Sequence, residues 1–143
     1  MTENLQPTNE TVLATLITKF AVADTCWFSS VRPNGRVHLA PIWHVWHEGK
    51  AYVCTPSVSV RARNVAKNSS VSLSLPDPYD VFILEGDARP VPDLAHVLQP
   101  LFKSKYDWDI STDVKYDLIL EIAPTKVMAW GKHGEGRWRG SEL

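Results

Sequence analysis

The stretch TPSVSVRARN, Thr55–Asn64, alternates small hydroxyls with apolar residues and then places two arginines two positions apart ahead of an asparagine. These are residue types that hold an anion. Thr55, Ser57 and Ser59 can donate hydroxyl hydrogen bonds, and Arg61 or Arg63 can grip two phosphate oxygens through a planar guanidinium fork. If a strand ends near Thr55 and a helix begins near Arg61, unpaired backbone N–H groups and a positive dipole end collect at the same corner. The chemistry suits one terminal phosphate better than a triphosphate, because there is neither a glycine-rich Walker loop nor its Lys-Ser/Thr pair. The same spacing also fits a serine-rich loop whose arginines point to solvent, and the residues alone leave both readings open.

A second segment, LAPIWHVWH, adds flat side chains. In one extended strand His38, Ala40, Ile42, His44 and Trp46 share a face, and Leu39, Pro41, Trp43, Val45 and His47 share the other. Large aromatics on both faces imply that the outer face is covered by a partner subunit or a planar ligand. Pro41 cannot donate to a ladder, so it predicts an edge or a bulge with backbone groups left free. His44 and His47 fall on opposite faces, which argues against a shared metal ion. Cys26 and Cys54 lie far apart and outside any metal spacing, so they are read as buried reduced thiols.

The elements that must carry these residues follow from periodicity. In TNETVLATLITKF, residues 8–20, Val12, Leu13, Leu16, Ile17 and Phe20 recur at helical spacing, with Glu10 near the start and Lys19 near the end. TCWFSSV reads as a strand, and RPNG supplies an Asn-Gly hairpin signal. RVHLAPIWHVWH then reads as one return strand and AYVCT as the next, giving a three-stranded meander over residues 25–55. A short helix is expected over residues 61–68, then the strands SVSLSL and VFILEGDARPV. DLAHVLQPLFKSKY reads as a helix that Pro100 should kink or shorten. DLILEIAP and KVMAWG read as two short strands, and residues 132–143 as a polar, glycine-rich tail. About six strands with few helices predict a mainly β protein, a small antiparallel barrel with helices packed outside, in one domain over residues 1–143 with its core in residues 10–131.

Composition narrows the function. The chain has 143 residues, 44% of them hydrophobic, with a formal net charge of −1. That is enough for a real core, and it leaves no basic surplus to neutralise a row of phosphates, so no nucleic-acid partner is expected. No apolar run approaches the ~20 residues of a membrane span, and the polar, acidic start MTENLQPTNE is unlike a signal peptide. A cytoplasmic protein is expected.

Taken in order, NGRVHLAPIWHVW, AYVCTPSVSVRARNVAKNSSVSLSL, VFILEGDARPV and PTKVMAWG resemble the pyridoxamine 5′-phosphate oxidase-like flavoproteins, the split-barrel flavin and deazaflavin oxidoreductases. The resemblance covers roughly residues 10–131. It implies a split β-barrel that forms a homodimer, with FMN in two grooves at the subunit interface. It further implies that Thr55, Ser59 and Arg61 bind the flavin phosphate. Asn64 and Arg63 match the motif that follows. Ala40, Pro41, Ile42, Trp43 and His44 would lie along the isoalloxazine ring. A Trp in the last strand of such proteins often reaches the partner's cofactor, which points to Trp130 and, after it, Arg137.

The implied activity is flavin-mediated hydride or electron transfer to or from a small organic substrate. The chain ends in RWRGSEL, without the Arg-Leu-x-Pro segment that the vitamin B6 oxidases use on their substrate, so that reaction is not expected. Many deazaflavin-binding relatives have Lys where Arg61 stands, which favours FMN over the deazaflavin cofactor. A deazaflavin-dependent reductase and a non-enzymatic flavin- or haem-binding module are the alternatives. No catalytic acid or base is assigned. His44 is nearest to that role, but a histidine on a half-buried strand is more often a hydrogen-bonded structural residue. Trp27, Trp46 and Trp108 are read as core or interface anchors, and Glu85 as serving strand or dimer.

Overall fold

A computed structural model describes residues 9–143. Eleven helices and strands follow in chain order: α1 (Asn9–Val22), β1 (Cys26–Val31), β2 (Val37–Ile42), β3 (Val45–His47), β4 (Lys50–Thr55), α2 (Val60–Lys67), β5 (Ser70–Ser74), β6 (Asp80–Pro90), α3 (Ala95–Tyr106), β7 (Leu118–Gly131) and β8 (Gly136–Arg139), with three single turns of 3₁₀ helix between and after them. Thr8, where the first helix was expected to begin, lies outside the described residues. The strands form one antiparallel sheet in the order β2-β1-β5-β6-β7-β4-β3, with β8 added to β7.

The two ends of that order, β2 and β3, are neighbours in sequence. Only Trp43 and His44 separate them, and the three Cα–Cα steps from Ile42 to Val45 span no more than about 11 Å. The sheet must therefore curl until its edges nearly meet, which makes a barrel split along one seam. The expected meander over residues 25–55 is corrected accordingly. It is two separate hairpins, β1–β2 and β3–β4, whose inner strands do not pair. The Asn-Gly signal holds: Arg32 and Arg36 close the first hairpin and Gly35 sits at φ +85°. Pro41 lies on the edge strand β2, where its missing N–H costs the ladder nothing.

The alternation read in LAPIWHVWH survives the break. Val37, Leu39, Pro41 and Trp43 are exposed, while Ile42 and His44 are buried. The barrel interior is filled by Val12, Leu16 and Phe20 of α1 with Phe28, Leu73, Phe82, Leu84, Leu120 and Ile122 from the strands. A second cluster lies on the other side of β4, where Tyr52 and Cys54 pack with Leu98 and Phe102 of α3. Strand β4 is thus buried on both faces from Ala51 to Thr55.

Three further expectations change. α3 runs through Pro100 for its full twelve residues; the proline's face is exposed, and the helix ends instead at Asp107, in the left-handed region at φ 53°. DLILEIAP and KVMAWG form the single strand β7, because the register slips between Glu85 and Gly86 and leaves Thr125 as an extra residue. That bulge accommodates Pro124. Opposite it, a Cβ on Gly86 would lie 2.3 Å from the Ala123 carbonyl oxygen, so the close approach of the strands requires glycine. Residues 132–143 are not a free tail: β8 pairs with β7, and Trp138 is buried in the barrel core.

Two buried carboxylates are tied down. Asp80 accepts from Lys19 of α1 and from His133. Glu121 accepts from Tyr52 Oη and Arg89 Nε, each at 3.0 Å. Burial pushes the Glu121 carboxyl up, but the bonds from Arg89 and Tyr52 and the charge of Lys50 outweigh it and hold the group below its ordinary value of 4.5. The unfolded chain then binds the extra proton, so stability from this site is present above pH 4.5 and is lost as pH falls below it. In acid titrations followed by circular dichroism, Glu121→Gln is expected to flatten the stability profile below pH 4.5; an unchanged profile would contradict the assignment.

Candidate cofactor site

The end of β4 and the start of α2 meet as the sequence implied. Thr55 is fully buried, and its Oγ1 lies 3.0 Å from Ser59 Oγ. Ser59 is the N-cap of α2 and accepts from Ala62 N at 3.2 Å. This is the usual reason for Ser at that position: its oxygen satisfies one of the helix's orphan donors. Arg61 folds back from the first turn. Its Nη1 donates to Thr55 Oγ1 at 3.3 Å and its Nη2 to the Pro41 carbonyl at 3.4 Å, both long bonds. The guanidinium also lies 5.5 Å from the centre of the Phe28 ring.

The electrostatics of Arg61 are unusual. It makes no ion pair with a carboxylate among the described residues, and its Nε is buried without a partner. Burial lowers its proton affinity, yet guanidinium stays charged in proteins. A half-buried cation with spare donors and no counter-ion calls for an anion from outside the chain.

Arg61 lines a cavity of about 450 Å³ with Pro41, Ile42 and Trp43 from the seam and with Trp108, Asp113 and Tyr116 from the segment after α3. The volume lies in the range of small-molecule and cofactor sites. The seam wall is held by α3. Tyr106 Oη sits 3.0 Å from His44 N, 2.9 Å from His44 O and 2.7 Å from Asp24 O, and Lys105 Nζ donates to His44 O at 2.6 Å. Trp43 stacks on Tyr106, centroids 4.4 Å apart and planes 2° from parallel. Burial lowers the Lys105 ammonium to about 8.

Thr55, Ser59, Arg61, Pro41, Ile42 and Trp43 are therefore brought together, and Ala40 continues the same strand. Other residues singled out in the sequence go elsewhere. Ser57 is turned away: its N and Oγ both donate to the Asp117 carboxylate at 2.8 Å. Asn64 is buried on another side of α2 and donates to Ser30 Oγ at 3.0 Å; Arg63 lines the groove there, with Arg32. The His44 side chain points into the barrel, where it stacks on Phe20 at 4.3 Å and its Nε2–H donates to the Phe20 carbonyl at 2.7 Å. Burial and the Lys105 charge push it down to about 4, so the imidazole is neutral near pH 7. Only its backbone belongs to the seam.

Trp130 is about half exposed on β7, beside Arg137 of β8 but outside the Arg61 cavity. Both thiols are pushed up to about 12, by burial above all, and are not nucleophiles. Tyr116 and the Asp117 grip on Ser57 were missed, and Trp108, read as a core or interface anchor, forms part of the cavity wall. The aromatics of YDWDISTDVKYD were the available signal.

Fold and site together define a split β-barrel with a cationic, hydroxyl-lined corner and a flat-walled cavity at its seam. The sequence model of the pyridoxamine 5′-phosphate oxidase family matches residues 17–131, and the chain belongs to that family. No curated protein sequence matches. Solved structures share the fold. A heme-binding protein from Mycobacterium smegmatis superposes with a TM-score of 0.78 at 13% identity, over 96% of this chain and 60% of that one. A protein related to general stress protein 26, of the pyridoxinephosphate oxidase family, from Clostridium acetobutylicum gives 0.72 at 14% identity, over 94% and 99%. General Stress Protein 26 from Bacillus anthracis gives 0.68 at 21% identity, over 89% and 98%.

Proposed function

We propose that the protein is an FMN-binding oxidoreductase that works in the cytoplasm as a homodimer and moves hydride or electrons between the flavin and a small organic substrate. The observation that carries this reading is Arg61, a half-buried cation with an unpartnered Nε and no carboxylate paired with it among the described residues, beside the Thr55 and Ser59 hydroxyls. That donor set fits a terminal phosphate. The isoalloxazine supplies the redox chemistry when bound.

The chain's own residues bind, orient and exclude water. Thr55, Ser59 and Arg61 fix the phosphate. Ala40, Pro41, Ile42, Trp43 and the His44 backbone offer an edge strand along the ring, held in place by Tyr106 and Lys105. The exposed stripe of Trp27, Val37, Leu39 and Trp43 supports a partner subunit on that face, and Trp130 would reach across to the partner's cofactor. Asn64 contributes by bracing α2 against β1. No described helix is long and apolar enough to cross a membrane.

The test is the visible absorption spectrum of freshly purified protein, with mass spectrometry of whatever acid releases, followed by titration of Arg61→Ala. A two-band flavin spectrum with released FMN is expected. The variant should bind FMN weaker by about 1.5–3 kcal/mol, the scale of a lost charged hydrogen bond, or about ten- to hundredfold in Kd. A protein that takes up no FMN, or that takes up the deazaflavin cofactor in its place, would overturn the reading.

A further inference from the structure

The segment between α3 and β7 has no assigned role, yet it forms the side of the cavity facing Trp43. Trp108 stands edge-on to Trp43, centroids 5.8 Å apart at 79°, and edge-on to Tyr116, 5.6 Å apart at 88°. Its position is fixed by two contacts, the second of them anchored in turn by the loop backbone. It packs edge-on against Phe102 of α3 at 5.5 Å, its Nε1 donates to Asp113 Oδ2 at 3.0 Å, and Asp113 Oδ1 accepts from the backbone N–H groups of Lys115 and Tyr116, each at 3.1 Å. Asp113 thus accepts three hydrogen bonds from its own loop and acts as the knot that sets both rings. Trp43 and Tyr116 remain 47% and 37% exposed, so the cavity presents aromatic surface that the protein itself does not cover.

We propose that Trp108 and Tyr116 are specificity-determining residues that read a flat conjugated ring held in this cavity, while Arg61 reads the anion. The proposal rests on the FMN reading and extends it to the ring end of the ligand. Two independent contacts make two independent signatures. A phosphate contact discriminates FMN from riboflavin, which has the same ring and no phosphate. A ring contact weakens both by the same factor. Indole and phenol within contact of an excited flavin also quench its emission, so the wall has an optical signature separate from turnover.

The experiment is equilibrium titration of FMN and of riboflavin into the full chain by flavin fluorescence, for the wild type, Arg61→Ala, Trp108→Phe, Trp108→Leu and Tyr116→Leu. Trp108→Leu and Tyr116→Leu are expected to raise both Kd values roughly three- to tenfold, the range of one aromatic pair, with the FMN/riboflavin ratio unchanged. Bound-flavin emission should rise in Trp108→Phe. Arg61→Ala should weaken FMN alone. Trp108→Leu removes a packed side chain, so Tyr116→Leu, at a more exposed position, keeps the test decisive if that variant does not fold. Unchanged Kd values and emission in the Trp108 and Tyr116 variants, with Arg61→Ala still weakening FMN, would overturn the wall and leave the phosphate reading standing. Failure of the wild type to bind FMN would overturn the reading and the wall together.

Discussion

Truncating Phe20 to Ala is expected to lower the unfolding free energy by about 3–5 kcal/mol, the range for emptying a buried aromatic site. Phe20 is fully buried at the point where α1 enters the barrel. Its ring stacks on His44 at 4.3 Å and Phe82 at 4.9 Å and meets the edge of Trp46 at 5.9 Å. Rings on that many sides cannot all move in to fill the space, so the cavity persists and the cost stays high. The Phe20 carbonyl survives the substitution, so the His44 bond is spared and the loss reports on packing. Guanidinium unfolding with the m-value held constant would measure it. A loss under about 1 kcal/mol would mean that the seam repacks, against the rigidity inferred here.

The second large effect is a dependence of stability on pH centred on His44. Its pKa falls from 6.5 to about 4 on folding. Below pH 6.5 the unfolded chain takes up a proton that the native state refuses. Stability is therefore complete above pH 6.5, declines as pH falls, and the loss levels off near pH 4. The span corresponds to about 3 kcal/mol at about 1.4 kcal/mol per pH unit. Most carboxylates are still ionised through the upper part of that window, so the slope between pH 6.5 and 5 belongs mainly to histidine. Denaturation midpoints across this range should shift strongly in the wild type and much less in His44→Gln, where His38, lowered by burial and by the charges of Arg32 and Arg61, still contributes. Parallel profiles for the two proteins would show that His44 is not held neutral.

The sequence was most informative where local chemistry decides structure. The Asn-Gly hairpin, the α1 stripe from Val12 to Phe20 and the edge position of Pro41 follow from propensity and periodicity, whereas the choice of Thr55, Ser59 and Arg61 among the hydroxyls and arginines of that stretch rests on the family resemblance. It was least informative where a distant element decides. Nothing in IWHVW shows that the strand must break at Trp43 and His44, because the break is imposed by closure of the sheet. Likewise β7 is one strand because a bulge opposite Gly86 absorbs Pro124, and Ser57 is withdrawn from the anion corner by Asp117, sixty residues away. Trp108 reads as an ordinary anchor, and Tyr116 carries no signal of its own, until the segment after α3 brings them to the seam. Trp138 was assigned to a tail because its strand is four residues long and bounded by glycines.

The seam also governs how copies of the chain can associate. An open sheet edge offers its unpaired N–H and C=O groups as a template for another strand, and long edges of this kind lead to fibres. Here the β2 edge carries Pro41, which interrupts the row of donors, and the other edge strands, β3 and β8, are only three and four residues long. Edges so short or interrupted are poor templates for propagating a sheet from molecule to molecule. The exposed apolar side chains beside the seam, Trp27, Leu39 and Trp43, stand perpendicular to those edges, so the homodimer proposed above would form through faces and leave the edges unextended.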